Sequence, residues 1–123
     1  MFEYFTIINT SEVLRFSVGS IVYVSAAGDY SHIHTMDGND HTVTLQMGAI
    51  EKMMEQQLQN AEEGELIRVG KSLIVNMRYV FKVNPTRKQI VLTDNHTFKF
   101  NLEASKDALT LLKAAIEEDF KTN

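Results

Sequence analysis

The sequence predicts a mainly β domain, with antiparallel sheets of about 8–10 short strands, one middle helix and one C-terminal helix. Three observations lead there. Runs rich in Val, Ile, Tyr and Phe recur along most of the chain, and several alternate apolar and polar residues at period two. Turn sequences separate them: Asp37-Gly38-Asn39-Asp40, Asn84-Pro85-Thr86-Arg87-Lys88 and Asp94-Asn95-His96. Only two stretches change to helical spacing. Hairpins dominate the connections, which argues against a parallel βαβ architecture.

In chain order, Phe5 to Ile8 is brief and β-branched, and Ser20 to Ala27 is a longer strand. Gly28-Asp29-Tyr30 turns the chain into Ser31 to Met36, where Ile33 faces away from His32 and His34. The Asp37–Asp40 hairpin returns it through His41 to Gln46. From Met47 to Gln59 the apolar residues Met47, Ile50, Met54 and Leu58, with Met53 alongside, predict the middle helix, and Gly64 is a plausible stop. Glu65 to Val69 and Ser72 to Asn76 flank Gly70-Lys71 as strands. Tyr79 to Val83 alternates, with Tyr79, Phe81 and Val83 expected on one face. Gln89 to Thr93 and Thr97 to Phe100 form a hairpin about Asp94-Asn95-His96. The last helix is expected over about Ala104 to Asp119, striped by Leu109, Leu112, Ala115 and Ile116 and capped by Asn101 or Ser105.

A chain of 123 residues fits one domain, with a core over about 20–116 and residues 1–19 as an N-terminal strand extension. The absence of cysteine removes disulfides and thiolate metal sites. No apolar run reaches the ~18 residues of a membrane span. The N-terminus lacks a basic region and cleavage site, so a cytoplasmic protein is expected. The net charge is −4, yet its distribution is uneven: Leu66 to Leu102 carries +6 and the remainder −10. A solvated face and a nucleic-acid face both explain a basic third.

Gly70-Lys71-Ser72 has the ending of a phosphate loop, G-x-x-x-x-G-K-[ST]. The first glycine is missing, because Glu65 holds its place. The bulky residues on either side favour strands over an amide nest leading into a helix. Arg68, Lys71 and Ser72 about a tight turn suit phosphate oxygens or base edges instead. His32, His34 and His41 raise the question of zinc, but polar residues on a hairpin facing water give the same pattern. No metal, cofactor or enzyme is expected, since no carboxylate pair or nucleophile stands at a recognisable spacing. Tyr30, Tyr79, Phe98 and Phe100 are candidates for base stacking, though alternating aromatics more commonly serve a core. Met47, Met53 and Met54 read as the core side of the middle helix, with a dimer contact as the alternative.

The order "IVYVSAAGDYSHIHTMDG", a helix, "LIRVGKSLIVNMRYVFKV" and "IVLTDNHTFKF" resembles the LytTR DNA-binding domain family of bacterial transcription regulators. That family often reads I-x-Y-I-E-A-x-G-N-Y in the first block and F-x-R-I-H-R-S-Y-L-V-N in the second. Tyr23, Ala26, Gly28 and Tyr30 match the first, and Arg68, Ser72, Val75 and Asn76 the second, within a likeness spanning Ile21 to Leu112. The resemblance implies a mainly antiparallel β fold whose loops enter successive DNA grooves, here Gly28 to His32, Gly70 to Ser72 and Asn101 to Ser105. It implies Ser31 or His32, Lys71, Asn101 and Glu103 as base-reading candidates. Tyr30, Arg68, Ser72, Lys99 and Lys106 follow as phosphate contacts. Departures lie at Asp29, where Asn is common, at Lys71 in place of Arg or Asn, and at Leu102-Glu103, where the family usually offers Ser-Arg.

The expected function is therefore sequence-specific double-stranded DNA binding by a transcription regulator related to two-component systems. The alternative is an interaction module of the same fold that has lost specific DNA binding, which the acidic total, Asp29 and Glu103 favour. Paired copies on repeated sites are expected by resemblance, and the input signal is expected from a separate partner, from oligomerisation or from a further region of the protein.

Overall fold

The computed structural model describes residues 3–58 and 66–122, and among these ten strands form three antiparallel sheets. An N-terminal hairpin pairs β1 (Tyr4–Ile8) with β2 (Val13–Ser17). The sequence reading did not single out the second of these strands, although Leu14 and Phe16 alternate with Arg15 and Ser17 at strand period. The central sheet contains β3 (Ile21–Ala27), β4 (Tyr30–Thr35), β5 (Asp40–Val43), β6 (Leu66–Val69) and β7 (Leu73–Asn76). Their order is β5-β4-β3-β7-β6. A third sheet, in the order β10-β9-β8, comprises β8 (Val80–Asn84), β9 (Gln89–Thr93) and β10 (Lys99–Glu103).

Side chains on the two faces of the central sheet feed separate cores. Val24, Ile33 and Ile74 face the hairpin residues Phe5, Ile7 and Phe16, and Met47, Ile50 and Met54 of helix α1 (Met47–Gln57). Tyr23, Leu73 and Val75 face Ile90 and Leu92 of the third sheet, and Leu109 and Leu112 of helix α2 (Lys106–Thr122). Each fully buried aliphatic or aromatic side chain stabilises the fold by roughly 1.5–3 kcal/mol. A bulge between Ile21 and Tyr23 puts the consecutive residues Val22 and Tyr23 into the second core, between Ile21 and Val24 of the first. Buried Asn76 ties the layers together, with Nδ2 donating to the carbonyl of Ile21 at 2.8 Å and Oδ1 accepting from Arg78 N.

Several elements differ from the sequence reading. A second bulge, between Val80 and Lys82, breaks the alternation of β8. Phe81 is consequently 64% exposed rather than on a shared inner face with Tyr79. Tyr79 sits in a 3-10 turn, is buried, and donates its hydroxyl to the carbonyl of Gly19 at 2.5 Å. Helix α1 ends at Gln57, and the expected stop at Gly64 lies outside the described residues. Helix α2 starts two residues later than expected because Ser105 caps it, its Oγ accepting from Ala108 N at 3.1 Å. Such a cap contributes about 1 kcal/mol. The rival cap, Asn101, lies within β10. Gln57 also closes an edge: its side-chain amide accepts from Thr6 N at 2.8 Å and donates to the carbonyl of Thr6 at 2.9 Å.

Candidate nucleic-acid interface

Four connections meet at one end of the molecule. Gly28, with φ of 66°, opens the turn from β3 to β4, and Gly70, with φ of 68°, opens the turn from β6 to β7. Ala26 N donates to the carbonyl of Ser72 at 3.0 Å, which ties the second turn to the strand leading into the first. On its other side the second turn abuts α2. A Cβ on Gly70 would lie a tight 3.2 Å from the Cβ of Ala108, so crowding adds to the positive φ in favouring glycine. The β8–β9 turn joins them through Ala104 N, which donates to the carbonyl of Lys88 at 3.2 Å. The resulting groove, of about 870 Å³, is bordered by Lys71, Ser72, Lys88, Glu103, Ser105 and Leu111.

Lys71, Arg87, Lys88 and Lys106 are exposed around this end, and their side chains have no hydrogen-bond or ion-pair partner among the described residues. The α2 N-terminus adds its partial positive charge. Three carboxylates share the region. Asp29 accepts from Gln46 Nε2 at 3.1 Å, Glu103 borders the groove and Asp107 lies in the first turn of α2. The turns thus gather at one end, and none of these carboxylates forms an ion pair with the four cations among the described residues.

The individual candidates divide. Lys71 and Ser72 lie exposed in the turn, and Tyr30 is 49% exposed at the start of β4. Lys106 opens α2 at the same end. Ser31 is a correction: it is fully buried, and its hydroxyl donates to the carbonyl of Leu45 at 2.7 Å, so it has no path to a base. Its neighbour His32 is half-buried, with Nδ1 2.9 Å from Thr42 Oγ1. The expected third loop is also corrected. The strand β10 continues to Glu103, so Asn101 and Glu103 are strand residues, exposed on the face opposite Phe100 and Leu102. Lys99 begins that strand beside the Asp94 hairpin, about 13 Å from Glu103 at ~3.3 Å per residue, and stands away from the gathered turns.

Arg68 is a third correction. Its Nη1 donates to Glu51 Oε1 at 2.9 Å, Nη2 to the carbonyl of Lys71 at 3.0 Å, and Nε to the carbonyl of Gly70 at 3.2 Å. A guanidinium held this way, with its charge offset by Glu51, is not a free phosphate contact. The sequence reading missed Arg87 and Lys88 as members of the site. Both belonged to the basic window, but only the fold brings the β8–β9 turn beside Lys71.

The histidines are placed by register. His32 and His34 share a face, while His41 pairs with Ile33, lies on the other face and packs edge-on against Phe16. His34 stacks on Tyr23 with ring centroids 4.0 Å apart, and contacts Asp40 Oδ1 at 2.5 Å and Ser25 Oγ at 2.9 Å. Burial pushes the basicity of His34 down, and Asp40 offsets part of that shift. Among the described residues no group of three or more His, Cys, Asp or Glu is arranged to hold a metal ion. Tyr79, Phe98 and Phe100 pack in or against the second core, Met47 and Met54 are buried in the first, and half-buried Met53 packs on it.

No helix among the described residues is long and apolar enough to cross a membrane. No curated protein matches the chain. Among solved structures, the fold is similar to the LytTr DNA-binding domain of a Bacillus cereus protein. The TM-score is 0.61 at 14% identity, covering 93% of this chain and 96% of that one. The sequence model of the LytTr DNA-binding domain matches residues 11–117. With that match across most of its length, the chain belongs to the LytTR DNA-binding domain family.

Proposed function

We propose that the chain binds double-stranded DNA sequence-specifically, through turns entering the grooves, as the DNA-reading part of a bacterial transcription regulator acting in the cytoplasm. The observation that carries this reading is the convergence of Lys71, Lys88 and Lys106, exposed and unpaired among the described residues, on one end of the fold. Lys71 is the leading base reader, since an ammonium donates to guanine O6 and N7 in the major groove. Tyr30, Ser72, Arg87, Lys88 and Lys106 serve the phosphates. His32, beside Tyr30, is the remaining base-reading candidate of the first turn. Glu103 suits a cytosine amino group and repels phosphate, so it contributes to sequence choice rather than to affinity. The role is binding without catalysis, on paired copies at repeated sites, under the control of a separate signalling partner.

Anisotropy titrations against duplexes selected from a random pool, at two salt concentrations, test this. Each phosphate contact contributes a slope of about −0.9 in log affinity against log salt. The expected result is tight, salt-sensitive binding to a selected sequence and weaker binding to competitor. The acidic total and Glu103 support a second reading, an interaction module without specific DNA binding. That reading prevails if no duplex binds above competitor even at low salt.

A further inference from the structure

We propose that Glu51 and Arg68 form a positioning pair that sets the direction in which Lys71 points, an inference that rests on the DNA-binding reading above. One planar guanidinium contacts the carbonyl of Gly70 and the carbonyl of Lys71. Those carbonyls belong to the two peptide planes on either side of the Lys71 Cα. Fixing both planes fixes the Cα–Cβ direction, while the Lys71 side chain itself has no partner among the described residues. Glu51, on α1, holds the guanidinium from behind at 2.9 Å. The helix on one face of the central sheet thereby sets the pose of a turn at its end. Lysine cannot replace this arrangement, because a single ammonium lacks the rigid fork that reaches three acceptors at once.

Two roles for Arg68 give opposite outcomes. If it is a positioning residue, Glu51→Gln and Arg68→Lys both loosen the turn. The ratio of specific to non-specific affinity then falls about tenfold, the size of one misplaced base contact. The salt slope stays at its wild-type value, and Lys does not rescue. If Arg68 touches phosphate, Glu51→Gln releases a cation and removes a competing anion. All duplexes then bind more tightly, the slope steepens by about 0.9, and Arg68→Lys stays near wild type. That pattern overturns the proposal. A measurement on the free protein separates this outcome from failure of the DNA-binding reading itself. NMR order parameters of Gly70, Lys71 and Ser72 should drop from about 0.85 toward about 0.6 in both variants. Unchanged order parameters overturn the positioning pair whether or not the wild type binds DNA. Glu51→Gln, isosteric and on the surface of α1, decides the matter alone if Arg68→Lys does not fold.

Discussion

The two ends of the molecule close their turns by different chemistry. At the end opposite the groove, carboxylates fold back into the turns they occupy. Asp37 accepts from Thr35 Oγ1, Asn39 N and Asn39 Nδ2. Asp94 accepts from His96 N, Thr97 N and Phe98 N, and from the Thr97 hydroxyl. These turns satisfy themselves and present little unused chemistry. At the groove end, the turns are held from behind, by the guanidinium of Arg68, by the Ser105 cap and by backbone bonds between neighbouring turns. Their own side chains, Lys71, Arg87, Lys88 and Lys106, are left facing water. The ends thus divide into closed and presenting ones according to what the turn side chains face, although Asn84 Oδ1 also accepts from Arg87 N within the β8–β9 turn.

The largest expected effect contrasts two glycines. Gly70→Val should cost about 2–3 kcal/mol, from strain at positive φ and from the wedge against Ala108. Gly38→Ala at the closed end, where nothing lies within 4 Å of the added carbon, should cost only about 1 kcal/mol. Urea denaturation of both variants measures the difference, and equal losses would erase the contrast. Next in size, Lys71→Ala should weaken binding to the selected duplex by about 1–3 kcal/mol and leave competitor binding nearly unchanged. Unaltered specific affinity would remove Lys71 as a base reader. A smaller effect separates two lysines by position. Lys88→Ala should reduce the magnitude of the salt slope by about 0.9, whereas Lys99→Ala should leave it in place. A reduction from Lys99→Ala alone would move the interface onto the outer face of β10.

The smallest effects are those of acid. Hydrogen bonding holds the carboxyls of Asp37 and Asp94 below their ordinary value of 3.8. Their contribution is therefore present at neutral pH and declines as pH falls below that value, because the unfolded chain takes up protons first. His34, whose basicity is depressed from 6.5 by burial, gives the same sign at milder pH: stability is present above 6.5 and declines below it. Thermal melts from pH 7 to 3 should show both declines. His34→Gln should remove the milder one and Asp94→Asn should diminish the stronger.

Much of the scaffold was legible because the period of apolar residues reports which face of an element is covered. The alternation of Ile33 against His32 and His34 gave β4, and the spacing of Met47, Ile50 and Met54 gave α1. The failures have local causes. The bulge beside Phe81 inserts a residue that no alternation announces. Ser31 reads as a polar loop residue, yet it shares the inward face of β4 with Ile33, where the carbonyl of Leu45 satisfies its hydroxyl. The site was legible in its charge, since the basic window already contained Lys71, Arg87 and Lys88. Their separation into presenting and clamping residues was not, because Arg68 is set apart from Lys71 by its contacts to Glu51 on α1 and to the turn carbonyls, which no local pattern announces.

The amide of Gln57, lying along Thr6, has a consequence for life in a crowded solution. An unpaired strand border is a template on which a stray extended segment can add itself, and repeated addition leads to fibres. By imitating one rung of such a segment, this glutamine occupies the template in advance. Shortening it to alanine would turn the hairpin's margin from a finished border into an open seam, with no change to the surface offered to DNA.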